Sequence, residues 1–194
     1  MYLPRLLRLA NVQGLPRGPQ SVILWNWLAV GVLFAFVFVV EKRDLRSLQF
    51  KRPNTKDIEL SVTFWGIATA ASWISTVVLP PQQNTGISTL QAIPIPILIA
   101  LVLTTATTEE ILYRAYPIER LQDLTIGWFA IVSSAFIFIL PHIAFFGWQW
   151  LITQGVGVVL QYVLYVWRRN IWACMLMHFL GNALILLPAT GIVG

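Results

Sequence analysis

Apolar residues occur along this chain in long blocks separated by short polar connections. Six blocks stand out, at 21–40 ("SVILWNWLAVGVLFAFVFVV"), 60–79, 94–113, 126–146, 150–167 and 171–188. Each approaches the roughly 20 residues a helix needs to cross the hydrocarbon of a bilayer. Nowhere do they alternate with a period of two, so a membrane strand barrel is excluded and helices must satisfy the backbone inside lipid. The pattern predicts an all-α fold, a polytopic transmembrane helical bundle with about six membrane helices. Pro94 and Pro96 mark a helix start, and Pro80 and Pro81 a loop. With no internal repeat or low-complexity tract, residues 1–194 read as a single integral membrane domain.

Composition sharpens this reading. With 57% hydrophobic and only 11% charged residues and a mean hydropathy of +0.72, the chain is too apolar for a soluble domain. Its net charge of +5 does not indicate a nucleic-acid partner, because the basic residues lie between the apolar runs, where they set topology. The 41–59 connection holds six Lys/Arg, 114–125 holds Arg114 and Arg120, and 168–170 holds Arg168 and Arg169, whereas 80–93 and 147–149 hold none. The positive-inside rule puts the first group in the cytoplasm and the second outside. Arg5, Arg8 and Arg17 then conflict with an outside N-terminus. Two resolutions stay open: "PRLLRLA" lies on the membrane surface, or the first run does not cross simply. No signal peptide is expected. The expected location is a multi-pass position in a bacterial plasma membrane or an endomembrane. Cys174 is the single cysteine, so there is no intrachain disulfide framework.

Against this apolar background, a few polar residues need explaining, since charge within a membrane helix costs several kcal/mol and tends to mark a site with a partner nearby. Glu109, Glu110 and Arg114 sit on the third run, His142 on the fourth, and His178 and Asn182 on the sixth; the two histidines are the only ones in the chain. At about 100° per residue, Glu110 and Arg114 lie about 40° apart, a pairing geometry. Glu109 is rotated about 100° from Glu110, so it needs a partner on another helix and is the better reactive carboxylate. His178 and Asn182 share a face. Pro141 should bend the fourth helix and lean His142 inward. Glu109 beside His142 could deprotonate a water, with His178 and Asn182 facing the oxyanion formed at a peptide carbonyl.

Three motifs carry a resemblance. "EEILYR" (109–114) fits EExxxR, "FILPH" (138–142) fits FxxxH and "HFLGN" (178–182) fits HxxxN. In this order, each on its own apolar run, they resemble the CPBP family of intramembrane proteases, also called the CAAX protease and bacteriocin-processing or Abi family, which includes the type II CAAX prenyl endopeptidases. The resemblance covers about 94–188. It implies that Glu109 and His142 activate water, that His178 and Asn182 form an oxyanion hole, and that Glu110 and Arg114 support the site. It also implies a peptide or protein substrate, lipidated in some members, in contact with membrane lipid. Ala115 stands where many members have glycine, which bears on packing. No cofactor is expected. The histidines and carboxylates could ligate zinc, but HExxH is absent and the histidines lie on different helices, so a metal-free mechanism is favoured.

Competing readings exist for each feature. The Glu109, Glu110 and Arg114 group could sit at the cytoplasmic interface, with arginine snorkelling; the histidines could be satisfied hydrogen-bonders and Asn182 a packing amide. Cys174, His178 and Asn182 share a helical face, but one straight helix does not easily converge three groups on a substrate, which disfavours a cysteine protease. At the level of the whole chain, the alternatives to an intramembrane protease are a proton-coupled transporter and a catalytically silent bacteriocin-immunity or scaffold protein of the same fold. Trp25, Trp27, Trp128, Trp148, Trp150, Trp167 and Trp172 read as interfacial anchors, and Gly155, Gly157 and Gly181 as positions of close helix approach.

Overall fold

A computed structural model describes residues 18–79 and 85–189. The conflict over Arg5, Arg8 and Arg17, the surface segment, the absence of a signal peptide and the Pro80–Pro81 loop all fall outside the described residues. Helix α1, Ser21–Ala35, runs into a π turn, Phe36–Val40, and a short 3-10 turn, Leu45–Leu48. The helices that follow are α2 (Thr55–Val78), α3 (Thr85–Gln91), α4 (Ile95–Glu110) and, after a second π turn at Ile111–Ala115, α5 (Tyr116–Gln122). Then come α6 (Gly127–Phe146), α7 (Gln149–Arg168), α8 (Ile171–Ala183) and α9 (Leu186–Ala189). No strand occurs among the described residues.

Five helical stretches are long and apolar enough to span a membrane: Ser21–Val40, Thr55–Val78, Ile95–Gln122, Gly127–Phe146 and Gln149–Arg168. Their bounds depart from the apolar runs for local reasons. Helix α2 begins at Thr55 because Asn54 and Asp57 form a capping box, each side chain accepting the other's backbone N–H. The third run continues through the π turn to Gln122, since Glu110 and Arg114 find partners inside the protein. The sixth run gives a helix of only 13 residues, Ile171–Ala183. The helix breaks at Leu184–Ile185, where the Ile185 and Leu187 N–H groups turn back three residues to the Asn182 and Leu184 carbonyls at 3.2 Å each, and Pro188 has no N–H to continue an α-helical ladder.

Packing places α4 at the centre. Half of the apolar window of Ile95–Gln122 is buried, against 6% for Thr55–Val78. Helix α4 touches α1 and α8, α2 lies on α7 and α8, and α6 joins α5 to α7. The main core is built from Ile111, Ala115 and Ile118, Phe138 of α6, Tyr162, Leu164 and Tyr165 of α7, and Cys174, Met175 and Met177 of α8. Apolar side chains such as Trp73, Ile74, Val77 and Val78 point outward, as a bilayer solvent allows. Helix α3 rests on the end of α6: a Cβ at Gly86 would come within 2.8 Å of the Phe145 carbonyl oxygen.

The basic connections gather at one end of the bundle. Arg120 pairs with Glu41 at 2.7 Å, Arg43 with Asp123 at 3.1 Å, Arg168 with Asp57 at 2.7 Å and Arg169 with Glu119 at 2.5 Å. Two expectations need correcting. Trp25 is buried, so it is not an interfacial anchor, and the half-buried Trp150 also stacks on His142. Of the three glycines, only Gly157 approaches a neighbour, where a Cβ would sit 3.4 Å from the Ala68 Cβ; a Cβ at Gly155 or Gly181 would meet nothing within 4 Å.

Candidate active site

The π turn after Glu110 keeps its polar residues in the core. Arg114 and Glu110 are 1% and 0% exposed, so they are not at a solvated interface where arginine snorkels. Glu110 Oε1 accepts from Arg114 Nη1, and it lies 2.6 Å from His178 Nδ1. The guanidinium is packed between the rings of Tyr162 at 4.4 Å and Phe138 at 5.0 Å. Below it, the Tyr162 hydroxyl lies 3.1 Å from Ser134 Oγ, which donates to the Tyr113 carbonyl. One buried carboxylate thus joins α4, the π turn and α8, and the cation it holds is braced by α6 and α7. Glu110 Oε2 and Arg114 Nε are buried with no hydrogen-bond partner among the described residues.

The second centre pairs Glu109 with His142. Along α6, Ala130, Ser134, Phe138, Pro141 and His142 face inward, a stripe at helical spacing that ends on the histidine. His142 Nδ1 lies 2.7 Å from the Phe138 carbonyl oxygen. A carbonyl only accepts, so Nδ1 carries a proton, a tautomer inferred from its partner. Nε2 then faces Glu109 Oε2 at 3.8 Å. The imidazole is stacked on Trp150 (centroids 4.6 Å apart, planes at 22°) and lies 4.3 Å from the Phe138 ring. These aromatic walls leave His142 only 7% exposed.

His178 and Asn182 sit one turn apart on α8, and each is held by a different partner. His178 is drawn to Glu110, while Asn182 Nδ2 donates to Thr105 Oγ1 at 3.1 Å. Thr105 is four residues before Glu109, so Asn182 meets the face of α4 that carries Glu109. The Phe138 ring is shared between the two centres, 4.3 Å from the His142 ring and 6.2 Å from that of His178. Glu109, Glu110, Arg114, His142, His178 and Asn182 are therefore brought together in one buried region. Cys174 is fully buried and its sulfur turns to the Gln161 carbonyl, with no hydrogen bond to His178 or Asn182.

Several residues of this region escape sequence reasoning. Trp150 and Tyr162 read as ordinary apolar-run aromatics until α7 folds against α6. Thr105 belongs to the hydroxyl run "TTATT" just before the glutamates, a signal that could have been read as polar support. In the same run, Thr108 accepts from Asn26 at 3.0 Å and Thr104 from Trp27 at 3.1 Å, clamping α1 to α4.

The fold and this buried pair of carboxylate–imidazole centres define a polytopic helical membrane protein with a polar site in its interior. Residues 91–184, which include all six of these residues, match the family model described as type II CAAX prenyl endopeptidase Rce1-like. That segment is similar to this membrane-protease family, the one its three motifs resemble. No curated protein and no solved structure matches the chain.

Proposed function

We propose that the chain is an intramembrane endopeptidase that hydrolyses a peptide bond with water activated by Glu109 and His142. The facing of Glu109 Oε2 and His142 Nε2 at 3.8 Å carries this reading. Both are acceptors when His142 is neutral with its proton on Nδ1, and the gap is too wide for a direct bond. A water donating one O–H to each fits between them. Its oxygen attacks the carbonyl carbon, and its proton passes to Glu109. The oxyanion receives an N–H from Asn182, whose amide has two hydrogens and gives one to Thr105. The second donor is His178 Nε2. The contact between Nδ1 and Glu110 fixes the ring and leaves Nε2 as the free edge. Collapse of the tetrahedral species breaks the C–N bond as Glu109 returns its proton to the amine. Arg114 holds the Glu110 carboxylate in place. Electrostatic stabilisation of this kind is worth about 3–4 kcal/mol per donor.

No step runs through a metal. Among the described residues no three His, Cys, Asp or Glu side chains converge on a point, and Glu110 Oε1 is already shared by Arg114 and His178. The substrate is a membrane-anchored peptide or protein. His178 and Asn182 lie roughly 10 and 16 Å along α8 from its start at the basic end, so the scissile bond would enter well below the head groups. A prenylated C-terminal peptide is the first substrate class to test.

The test is purified protein in detergent with membrane-anchored peptides, prenylated and not, comparing wild type with Glu109→Gln, His142→Ala and His178→Ala, with and without a chelator. Turnover by the wild type, reduced about 100- to 10,000-fold by loss of the base and insensitive to chelation, is expected. Equal turnover by all four removes the reading, chelator sensitivity replaces it with a metal mechanism, and a folded wild type that cleaves nothing favours the catalytically silent alternative.

A further inference from the structure

The turn that follows α1 carries positive charge that the fold leaves unused. Of the ionic groups there, Glu41 is taken by Arg120, Arg43 by Asp123, and Asp44 caps the 3-10 turn by accepting the Ser47 N–H at 3.2 Å. Lys42 and Arg46 are exposed, with no ion pair or side-chain hydrogen bond to another described residue. The turn is nonetheless well formed. Lys42 takes a left-handed conformation (φ 54°), uncommon for a residue other than glycine, and the Arg43 N–H closes the turn onto the Val37 carbonyl at 3.0 Å. A shallow, open surface depression of about 660 Å³ lies here, lined by Phe38, Lys42, Arg43, Asp44, Leu45 and Arg46.

Its position and lining suit one kind of occupant. The membrane span ends at Val40, two residues before Lys42, so the depression lies at head-group level. Two cations unpaired among the described residues, Lys42 and Arg46, line it with Arg43, which is paired with Asp123, and one carboxylate, Asp44, which accepts the Ser47 N–H. Phe38 and Leu45 contribute apolar surface, continuous with the outward-facing Phe36, Val39 and Val40 of the π turn, which hydrocarbon covers. A soluble anion would use the charge and not the apolar wall; a zwitterionic lipid would use the wall and not the charge.

We propose that this depression binds the head group of an anionic phospholipid, its phosphate between Lys42 and Arg46 and its acyl chains along the exposed edge of Phe36–Val40. Charge-assisted bonds from a guanidinium and an ammonium to phosphate oxygens supply the recognition, and the contact pins the end of α1 at the basic face of the bundle. The site is separate from the glutamate–histidine region and its occupancy does not depend on proteolysis.

The test is native mass spectrometry of the full chain in detergent, titrated with phosphatidylglycerol or with phosphatidylcholine of the same acyl chains. One phosphatidylglycerol is expected to bind in preference to phosphatidylcholine. Lys42→Gln/Arg46→Gln should weaken it about 25-fold, at about fivefold per cation, while Lys51→Gln/Arg52→Gln, equally exposed but outside the depression, changes it less than about threefold on the same scale. Leu45→Glu, which adds a carboxylate to the wall, should abolish retention, with thermal unfolding of each variant recorded to show that it is folded. Equal binding of the two lipids, an equal effect of the control pair, or displacement of the lipid by inorganic phosphate would each overturn the proposal.

Discussion

Replacing Glu110 by glutamine tests the electrostatic centre of the molecule. The substitution keeps the shape and removes the anion from a pair whose members are 0% and 1% exposed. Leaving one partner of a buried ion pair uncompensated costs about 3–5 kcal/mol. For Glu110→Gln the lower end applies, about 3 kcal/mol, because the stranded guanidinium keeps its aromatic contacts, each worth about 2 kcal/mol when desolvated. Arg114→Met strands the carboxylate beside His178 and also loses the contacts to Tyr162 and Phe138, so about 5 kcal/mol is expected. For a chain of this size these translate to decreases in Tm of about 6–12 and 10–20 °C. The double variant Glu110→Gln/Arg114→Met removes both charges and should be more stable than the sum of the singles by at least about 3 kcal/mol. Thermal unfolding in detergent, followed by tryptophan fluorescence at fixed lipid content, reads all four proteins. Single-variant losses below about 1 kcal/mol, or strict additivity, would show a solvated and uncoupled pair and refute the reasoning.

Other predictions follow from the same geometry. Asn182→Ala should lower kcat about 100- to 1,000-fold with KM little changed, and Thr105→Val, which removes the acceptor that orients the amide, should lower it less; a larger effect of the threonine change would contradict the donor role. At the basic end, the hydrogen bond and charge of Arg120 hold the Glu41 carboxyl below its ordinary 4.5. The lowered folded value means that this contribution is present above the unfolded pKa and is lost as pH falls through the folded one. Tm should therefore fall on acidification below about pH 5, and less steeply for Glu41→Gln; parallel curves would assign the loss elsewhere. Gly155→Ala, with nothing within 4 Å of the new Cβ, should stabilise α7 by up to about 1 kcal/mol. Gly86→Ala should destabilise, because its Cβ would meet the Phe145 carbonyl oxygen at 2.8 Å; melting curves of both variants decide.

Much of the site was legible because charge in an apolar run is expensive and rarely accidental. Glu110 and Arg114 had to find each other within one turn, and His142 and His178 stood out as the chain's two histidines, each in a run that otherwise excludes water. The expectation that His178 and Asn182 present themselves together was less complete. One shared helical face says nothing about the neighbouring helices, and α4 offers Glu110 to one residue and Thr105 to the other. The role read for Trp150 was incomplete for the same reason. A tryptophan near a span end is compatible with a head-group anchor and with a stack on an imidazole, and only the approach of α7 to α6 supplies the second.

The amino-acid sequence by itself determined the helical class, the bilayer as solvent, the number of long apolar runs and the six residues worth watching, because hydrophobic length and the cost of buried charge are properties of the chain read locally. Only the tertiary structure decided that Glu109 meets His142 while Glu110 meets His178, and that aromatic rings wall both centres. Those outcomes depend on which faces of separate helices approach one another, and helix packing is fixed by the summed fit of many side chains distant in the chain, information that no single run contains.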